Sequence, residues 1–415
     1  MTTAGIIAEY NPFHNGHFYH IEETRRQTGA DFIIVVMSGD FTQRGTPALT
    51  DKYARTRMAL LGGADLVLEL PVMFAAGSAG DFAHGAVSLL DKLHVTDYLS
   101  FGSEAGSLDI LKQAAQLLAE EPPAFGEALR ARLLEGNSFA RARFAALNTV
   151  LEHSMAAALP EGPNNLLGLE YCHALYKRGS TINPVTVLRQ GAGYHDLTLS
   201  ETFPSALSIR KYLEEAINPS DCTALLTQNV PAILKDVWQP LLSERKLLFP
   251  ADFTKELRYR LLLEPDGNFT SYADVTRELS DKLKNNRLLF TDWDDLCMRA
   301  KSKELTYSRI SRALCHILLN IQADTLQKAR KNDYVPYARI LGFKKSAQPL
   351  LSSIKQNSEI PLLSKLADAH RLLSGQALEM LSQDITAAHI YESAMACKTG
   401  LLPENEYCRQ IVILP

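Results

Sequence analysis

Apolar positions in the first half of the chain fall in short unbroken runs separated by polar stretches of helical length. The runs are Gly5-Ile6-Ile7-Ala8, Asp31-Phe32-Ile33-Ile34-Val35-Val36-Met37, Ala64-Asp65-Leu66-Val67-Leu68-Glu69-Leu70, Asp97-Tyr98-Leu99-Ser100-Phe101 and Val185-Thr186-Val187-Leu188-Arg189. Continuous β-branched runs suit strands buried on both faces, as parallel sheets require. Between them the pattern predicts a helix starting at His17, one capped by Thr50 and running to about Leu61, and one from about Asp81 to Lys92. Strands alternating with helices imply βαβ units and a doubly wound parallel sheet. The Ala-, Leu-, Glu- and Arg-rich stretch at about 107–157 reads as a helical insertion, and Pro163-Asn164-Asn165 opens a further helix to about Lys177, with Asn164 a possible N-cap. Beyond residue 215 amphipathic helical patterns dominate. The predicted division is therefore an α/β domain over 1–215 and a mainly α-helical domain over 216–415.

The candidate chemistry sits at the end of the first strand. Pro12 fixes one backbone dihedral and biases Asn11 away from helix, so the chain turns sharply there. His14-Asn15-Gly16-His17 then forms a first helical turn, whose unpaired amides and positive dipole end favour an anion such as a triphosphate. His14 and His17 share one face and can donate hydrogen bonds to phosphate oxygens as charge grows during displacement. Gly16 leaves space where a nucleotide could lie against the backbone. Ligands gather beyond the carboxyl ends of parallel strands, which places Asp40, Gln43 and Arg44 beside the histidine loop. Gly102 closes the fourth strand and lets a ribose or base approach. Arg189 ends the fifth strand, before Gln190-Gly191-Ala192-Gly193-Tyr194-His195. The hydroxyls and free amides of Phe203-Pro204-Ser205-Ala206-Leu207-Ser208-Ile209-Arg210 suit a departing pyrophosphate.

Composition narrows the class. With 415 residues, 46% of them hydrophobic, the chain can bury more than one core. No apolar run approaches the ~20 residues that span a bilayer, and the start lacks the basic flank and apolar centre of a signal peptide; a cytoplasmic location is expected. The six cysteines form no Cys-x-x-Cys pair and no zinc spacing, so reduced thiols and no metal site are expected. A net charge of −4 excludes a uniformly basic nucleic-acid binder, yet Lys282 to Lys345 holds 14 Lys or Arg against six Asp or Glu. There, Lys301 to Arg312 and Tyr334 to Phe343 interleave basic, hydroxyl and aromatic side chains, a mixture fit for phosphates and unpaired bases. Lys301, Lys303, Arg309, Arg312 and Arg339 are the candidate RNA contacts.

Three segments carry a likeness: Ala8-Glu9-Tyr10-Asn11-Pro12-Phe13-His14-Asn15-Gly16-His17, Met37-Ser38-Gly39-Asp40-Phe41-Thr42-Gln43-Arg44-Gly45 and Leu68-Glu69-Leu70-Pro71. In them the chain resembles the HIGH-signature nucleotidyltransferases and, over its whole length, the tRNA(Met) cytidine acetate ligase family. The resemblance implies a Rossmann-like sheet followed by a mainly helical, tRNA-binding domain. It also implies ATP as co-substrate with Mg2+, acetate, and elongator tRNA(Met) as partner, acetate being activated as acetyl-adenylate and passed to the wobble cytidine. ATP-binding positions implied are Ile7-Ala8-Glu9-Tyr10-Asn11-Pro12-Phe13-His14-Asn15-Gly16-His17-Phe18-Tyr19-His20, Gly102, Asn164, Arg189, Ser205 and Ser208. His14, His17, Asp40 and Arg210 are the implied catalytic set. Glu304 departs from the pattern, standing where a basic residue is expected. Two other readings fit the residues alone: an adenylyltransferase acting on a small phosphorylated metabolite, and a non-catalytic RNA-binding protein.

Overall fold

Five parallel strands form the centre of the structure: β1 (Thr3–Ala8), β2 (Phe32–Ser38), β3 (Leu66–Leu70), β4 (Tyr98–Ser103) and β5 (Asn183–Leu188), in the order β5-β4-β1-β2-β3. This computed structural model describes residues 1–137, 139–155, 162–189, 205–216 and 219–415. The predicted turn 190–195, the Phe203-Pro204 step and the last residues of the predicted insertion lie outside the described residues. β2 shows why the sheet buries both faces: Ile33, Val35 and Met37 enter one apolar cluster, Ile34 and Val36 the other. Period-two alternation in an all-apolar strand makes both sides core. Helices Asn15–Thr28 and Lys52–Leu61 cover one face, and helix Ala79–Lys92 covers the other.

Several local assignments differ from the sequence reading. Asp51, not Thr50, caps helix Lys52–Leu61, accepting from the amides of Tyr53 and Ala54 at 2.9 and 3.1 Å. Helix Pro163–Arg178 begins at Gly162. Asn164 instead donates to Glu104 Oε1 at 2.5 Å, while Asn165 accepts from the amides of Glu104 and Ala105 at 3.0 Å. The stretch after β4 forms helices Leu108–Glu120, Pro123–Leu134 and Phe139–Met155.

The larger difference lies at the other sheet edge. β6 (Ala338–Lys344) runs antiparallel against β3, and β7 (Leu362–Leu363) and β8 (Val412–Leu414) pair parallel with β6. The segment from 216 onward therefore completes the first sheet, and one apolar cluster runs without interruption from Val36 and Leu68 to Trp293, Ile310 and Tyr391. Among the described residues no helix is long and apolar enough to cross a membrane.

Buried charges fasten β6 in place. Lys52 Nζ lies 2.8 Å from Glu69 Oε1 and 2.6 Å from Glu406 Oε1. Arg339 Nη2 donates to Glu406 Oε1 at 2.5 Å, and its Nη1 makes a 2.7 Å charge contact with Glu69 Oε2 outside hydrogen-bond alignment. All four side chains are at most 5% exposed. This removes Arg339 from the predicted RNA-facing set: it sits on an inner strand with both carboxylates against it. Such a pair costs desolvation when formed and is strongly destabilising when broken. We expect Arg339→Met to lower the unfolding free energy by ~3–5 kcal/mol, measured as a lower urea midpoint. A loss under ~1 kcal/mol would mean that the cluster is not a fastening.

Candidate active site

β1 delivers its loop into a cavity of about 1000 Å³. At the strand end Tyr10 takes a left-handed backbone, φ 48°, with its side chain fully buried. Asn11 Oδ1 accepts from Leu49 N at 2.7 Å, and Arg210 donates to the Asn11 carbonyl, so the turn is held from two sides. Behind it, buried Arg55 donates to the carbonyls of Glu9 (2.8 Å), Ser38 (3.0 Å), Thr50 (3.0 Å) and Gly39. Its guanidinium thus ties the carboxyl ends of β1 and β2 together.

The histidines organise each other. His14 is the N-cap of helix Asn15–Thr28, and its Nδ1 accepts from Gly16 N at 3.0 Å. His17 Nδ1 accepts from His14 N at 3.3 Å, and the two rings stack with centroids 3.8 Å apart. Since each Nδ1 is an acceptor, each neutral ring carries its proton on Nε2. A Cβ at Gly16 would meet His14 Cε1 at 2.9 Å and Nδ1 at 3.1 Å. The glycine therefore makes room for the first histidine, a different use from the nucleotide clearance read from sequence.

Burial, aided by the charges of Arg189 and Arg210, pushes His14 down to about 3. His17 is driven well below its usual value by burial and then by His14 and Arg189. His20, hydrogen-bonded through Nε2 to Ser100 Oγ at 3.1 Å, falls to about 4, chiefly by burial and then by Arg189. The site thus holds neutral imidazoles among cationic guanidiniums. It can bind an anion by charge through the arginines and by directed donors through the histidines.

Many predicted positions meet here. Ile7, Ala8, Glu9, Tyr10, Asn11, His14, Gly16, His17, Tyr19, His20, Gly102, Asn164, Arg189, Ser205 and Arg210 line the cavity, as do Gln43 and Arg44. Glu9 Oε1 accepts from Gln43 N at 2.7 Å, which holds that loop against β1. Others point away. Phe13 is fully buried beneath Gly62, Asn15 donates to the Gln228 carbonyl at 3.1 Å, Phe18 packs on the apolar cluster, and Pro12 is outside the lining. Ser205 caps helix Ala206–Glu215 by accepting from Ser208 N at 3.1 Å, and buried Ser208 returns its hydroxyl to the Ser205 carbonyl at 2.8 Å. Ser208 is thereby a capping residue set back from the cavity.

Asp40 needs the same correction. It is buried, its Oδ1 accepts from Lys52 N at 2.8 Å, and it borders the ion cluster, with Lys52 Nζ at 3.8 Å. Burial raises it to about 7 against the pull of Lys52, with Glu406 and Glu69 adding to the rise. Asp40 shapes the loop and does not reach the cavity.

The far wall comes from the region read as an RNA-binding domain. Helix Tyr307–Leu318 presents Arg309 and Arg312, the latter donating to Asp274 at 3.0 Å, and all three line the cavity. Gly45, φ 70°, packs so closely on this helix that a Cβ would sit 2.3 Å from Arg312 Cα, and Ser311 Oγ donates to its carbonyl at 2.9 Å. Only glycine permits that approach. Lys301 and Lys303 are exposed outside the lining. Sequence reasoning also missed His84, Glu170 and His173, which meet at the cavity wall from helices Ala79–Lys92 and Pro163–Arg178. Glu170 and His173 are three apart on one helix face, a signal that could have been read.

The family described as HIGH nucleotidyl transferase matches residues 1–402. A tRNA(Met) cytidine acetate ligase of Clostridium kluyveri is 40% identical, with 94% of each chain covered, and one of Caldanaerobacter subterraneus subsp. tengcongensis is 38% identical over the full length of both. The solved structure of Thermotoga maritima TmcAL superimposes at TM-score 0.92 in its apo form and 0.89 with alpha-thio ATP bound, at 29% identity and full coverage of both chains.

Depressed histidines make stability depend on pH in a defined direction. Between pH 6.5 and 3 the unfolded chain binds the His14 proton and the folded chain does not, so this group's contribution is complete above pH 6.5 and is lost as pH falls. Asp40 has the opposite sign, so the test is a difference. From pH 7 to pH 5, His14→Gln should lose ~1–2 kcal/mol less stability than the wild type, by chemical denaturation at both pH values. Equal losses would show that His14 is not held neutral.

Proposed function

Because the chain belongs to the HIGH nucleotidyl transferase family and, within it, to the tRNA(Met) cytidine acetate ligases, we propose that it activates acetate with ATP and acetylates the wobble cytidine of elongator tRNA(Met). An acetate oxygen attacks the α-phosphorus and the bond to the β-phosphate oxygen breaks, releasing pyrophosphate and leaving acetyl-adenylate. The exocyclic amine of the cytidine then attacks the acetyl carbonyl; AMP departs, the amine loses a proton, and N(4)-acetylcytidine results.

The observation that supports this most directly is the donor arrangement of the β1 loop, in a chain similar along its whole length to a structure solved with an ATP analogue. The Nε2–H groups of His14 and His17 are preorganised donors for the charge that develops on the α-phosphate, and being neutral they need not be desolvated as ions. Arg210, fixed on the Asn11 carbonyl, and Arg189, beside Gly102, supply positive charge for the phosphates. A Cβ at Gly102 would lie 3.2 Å from Arg189 Cγ, so the glycine lets that side chain cross the β4 end. ATP arrives as its magnesium complex, which offsets part of the triphosphate charge. Ile7 to Asn11, His14, Gly16, His17, Tyr19, His20, Gly102, Asn164, Arg189 and Ser205 make up the nucleotide site in this reading.

For tRNA, the exposed pair Lys301 and Lys303 remains a phosphate-contact candidate, whereas Arg309 and Arg312 face the cavity. The two arginines therefore serve whichever substrate fills the cavity. Their helix packs on Gly45 and lines the same cavity as the histidine loop, so the incoming base and the adenylate meet in that cavity.

Three outcomes test this function. Nucleoside mass spectrometry of tRNA from a deletion strain should show loss of N(4)-acetylcytidine at the wobble position, restored by the wild-type gene. His14→Ala and His17→Ala should each lower acetate-dependent ATP–pyrophosphate exchange by ~10²-fold or more; wild-type exchange in either would exclude the loop from the chemistry. Lys301→Ala/Lys303→Ala should leave exchange intact but reduce transfer to tRNA. Its salt dependence of tRNA affinity should be shallower by up to ~1.4–1.8 for two contacts at roughly 0.7–0.9 each. Identical slopes would mean that these lysines touch no phosphate.

A further inference from the structure

Outside the histidine loop, one cluster of titratable groups has no part in the proposed chemistry. His84 Nε2 lies 3.4 Å from His173 Nδ1, and Glu170 Oε2 lies 3.6 Å from the same Nδ1. One ligand atom from each of the three side chains falls within 4.8 Å of the other two.

Two other uses for such a group are a proton relay and a structural hydrogen-bond chain. Both need partners on opposite nitrogens of the middle imidazole, as when a carboxylate holds one nitrogen and the other faces the substrate. Here both neighbours meet Nδ1, while His173 Nε2 is buried and finds no partner among the described residues. The three ligand atoms instead lie within 4.8 Å of one another, close enough for one cation to bridge them.

Each ligand is also held from outside that point. Arg143 donates to Glu170 Oε1 and leaves Oε2 directed at the imidazoles. His84 stacks on Tyr334, centroids 5.4 Å apart and rings 15° from parallel. Glu170 and His173 are fixed three residues apart on a helix that packs directly on the one carrying His84. A guanidinium and an aromatic ring outside the cluster thus orient Glu170 and His84.

We propose that His84, Glu170 and His173 form a binding site for one divalent transition-metal ion of the zinc type. Imidazole selects borderline ions such as Zn2+ over Mg2+ or Ca2+, and two histidines with one glutamate match the three-ligand sites in which a further coordination position stays open. With bonds of about 2.0–2.2 Å, ligand atoms around a tetrahedral ion are ~3.3–3.6 Å apart; the separations of 3.4 and 3.6 Å already match, and the third, within 4.8 Å, closes by a side-chain shift. All three residues line the large cavity, so the open position faces the space that receives the substrates and takes water or a substrate oxygen.

The test needs no catalytic reaction. Cys397 and Cys408 are exposed thiols that could bind zinc adventitiously, so a Cys397→Ser/Cys408→Ser protein is the parent. It is stripped with a chelator, reloaded with ZnCl2, desalted, and titrated against a chromophoric chelator. The expected result is about one equivalent of Zn2+ per chain, weakened by roughly tenfold or more in His84→Ala, His173→Ala and Glu170→Gln. Glu170→Gln keeps the side-chain shape, so it reports ligation if an alanine variant folds poorly. Zinc should also raise the parent's Tm and leave that of Glu170→Gln less shifted. Failure of the parent to retain zinc, or equal affinity in the parent and Glu170→Gln, overturns the proposal. Neither result bears on acetate activation, which ATP–pyrophosphate exchange measures separately.

Discussion

Lys52 and Arg339 against Glu69 and Glu406 is the interaction on which the rest of the architecture depends. These four side chains come from a helix after β2, from β3, from β6 and from the C-terminal segment, and none can be left alone in the interior. A buried charge without its partner is far less tolerable than a buried pair, so the cluster forces the late chain onto the early sheet. With β6 beside β3, helix Tyr307–Leu318 packs on Gly45 and lines the same cavity as the histidine loop. Two carboxyls at its border, Asp40 and Asp384, show the cost of the arrangement: burial raises each to about 7. Asp384 is kept by the donors Val72 N at 2.7 Å and Tyr337 Oη at 2.6 Å.

The same helix that carries Lys52 carries Arg55, and this links the fastening to the site. Arg55 holds the carbonyls at the ends of β1 and β2, and those ends set where His14 and His17 stand. The cavity then divides its electrostatic work between residue types. Guanidiniums supply the charge, because they stay protonated when desolvated. Imidazoles beside them are driven neutral and supply direction, because Nδ1 of each is occupied by a backbone amide and only Nε2–H remains to donate. Had the histidines been cationic, they would have repelled each other across a 3.8 Å stack.

The wall opposite is fixed by close backbone contacts. Gly45 touches the middle of helix Tyr307–Leu318 at Ser311 and Arg312, and His316 bridges the carbonyls of Ala273 and Ala76 at 3.0 and 2.9 Å. Asp274, next to Ala273, is in turn aligned with Arg312. The placement of Arg309 and Arg312 is therefore tied to the sheet through several independent contacts, and these two arginines line one cavity with the histidine loop.

Legible in the order of residues were the five parallel strands, the histidine loop at the end of the first, and the arginines at later strand ends, because these depend on local periodicity and on where strands stop. The same order also showed the family, through motifs whose spacing survives in the chain. Tertiary structure alone decided that Arg339 is buried, that Asp40 is a backbone anchor, that β6 joins the sheet, and that Arg309 and Arg312 turn inward. It alone brought His84 to Glu170 and His173. In each of these the partner lies on another element, often hundreds of residues away: the charge pattern of Arg339 reads the same beside a phosphate as beside Glu69 and Glu406. A side chain's type limits the contacts it can make, and only the packing of the chain on itself chooses among them.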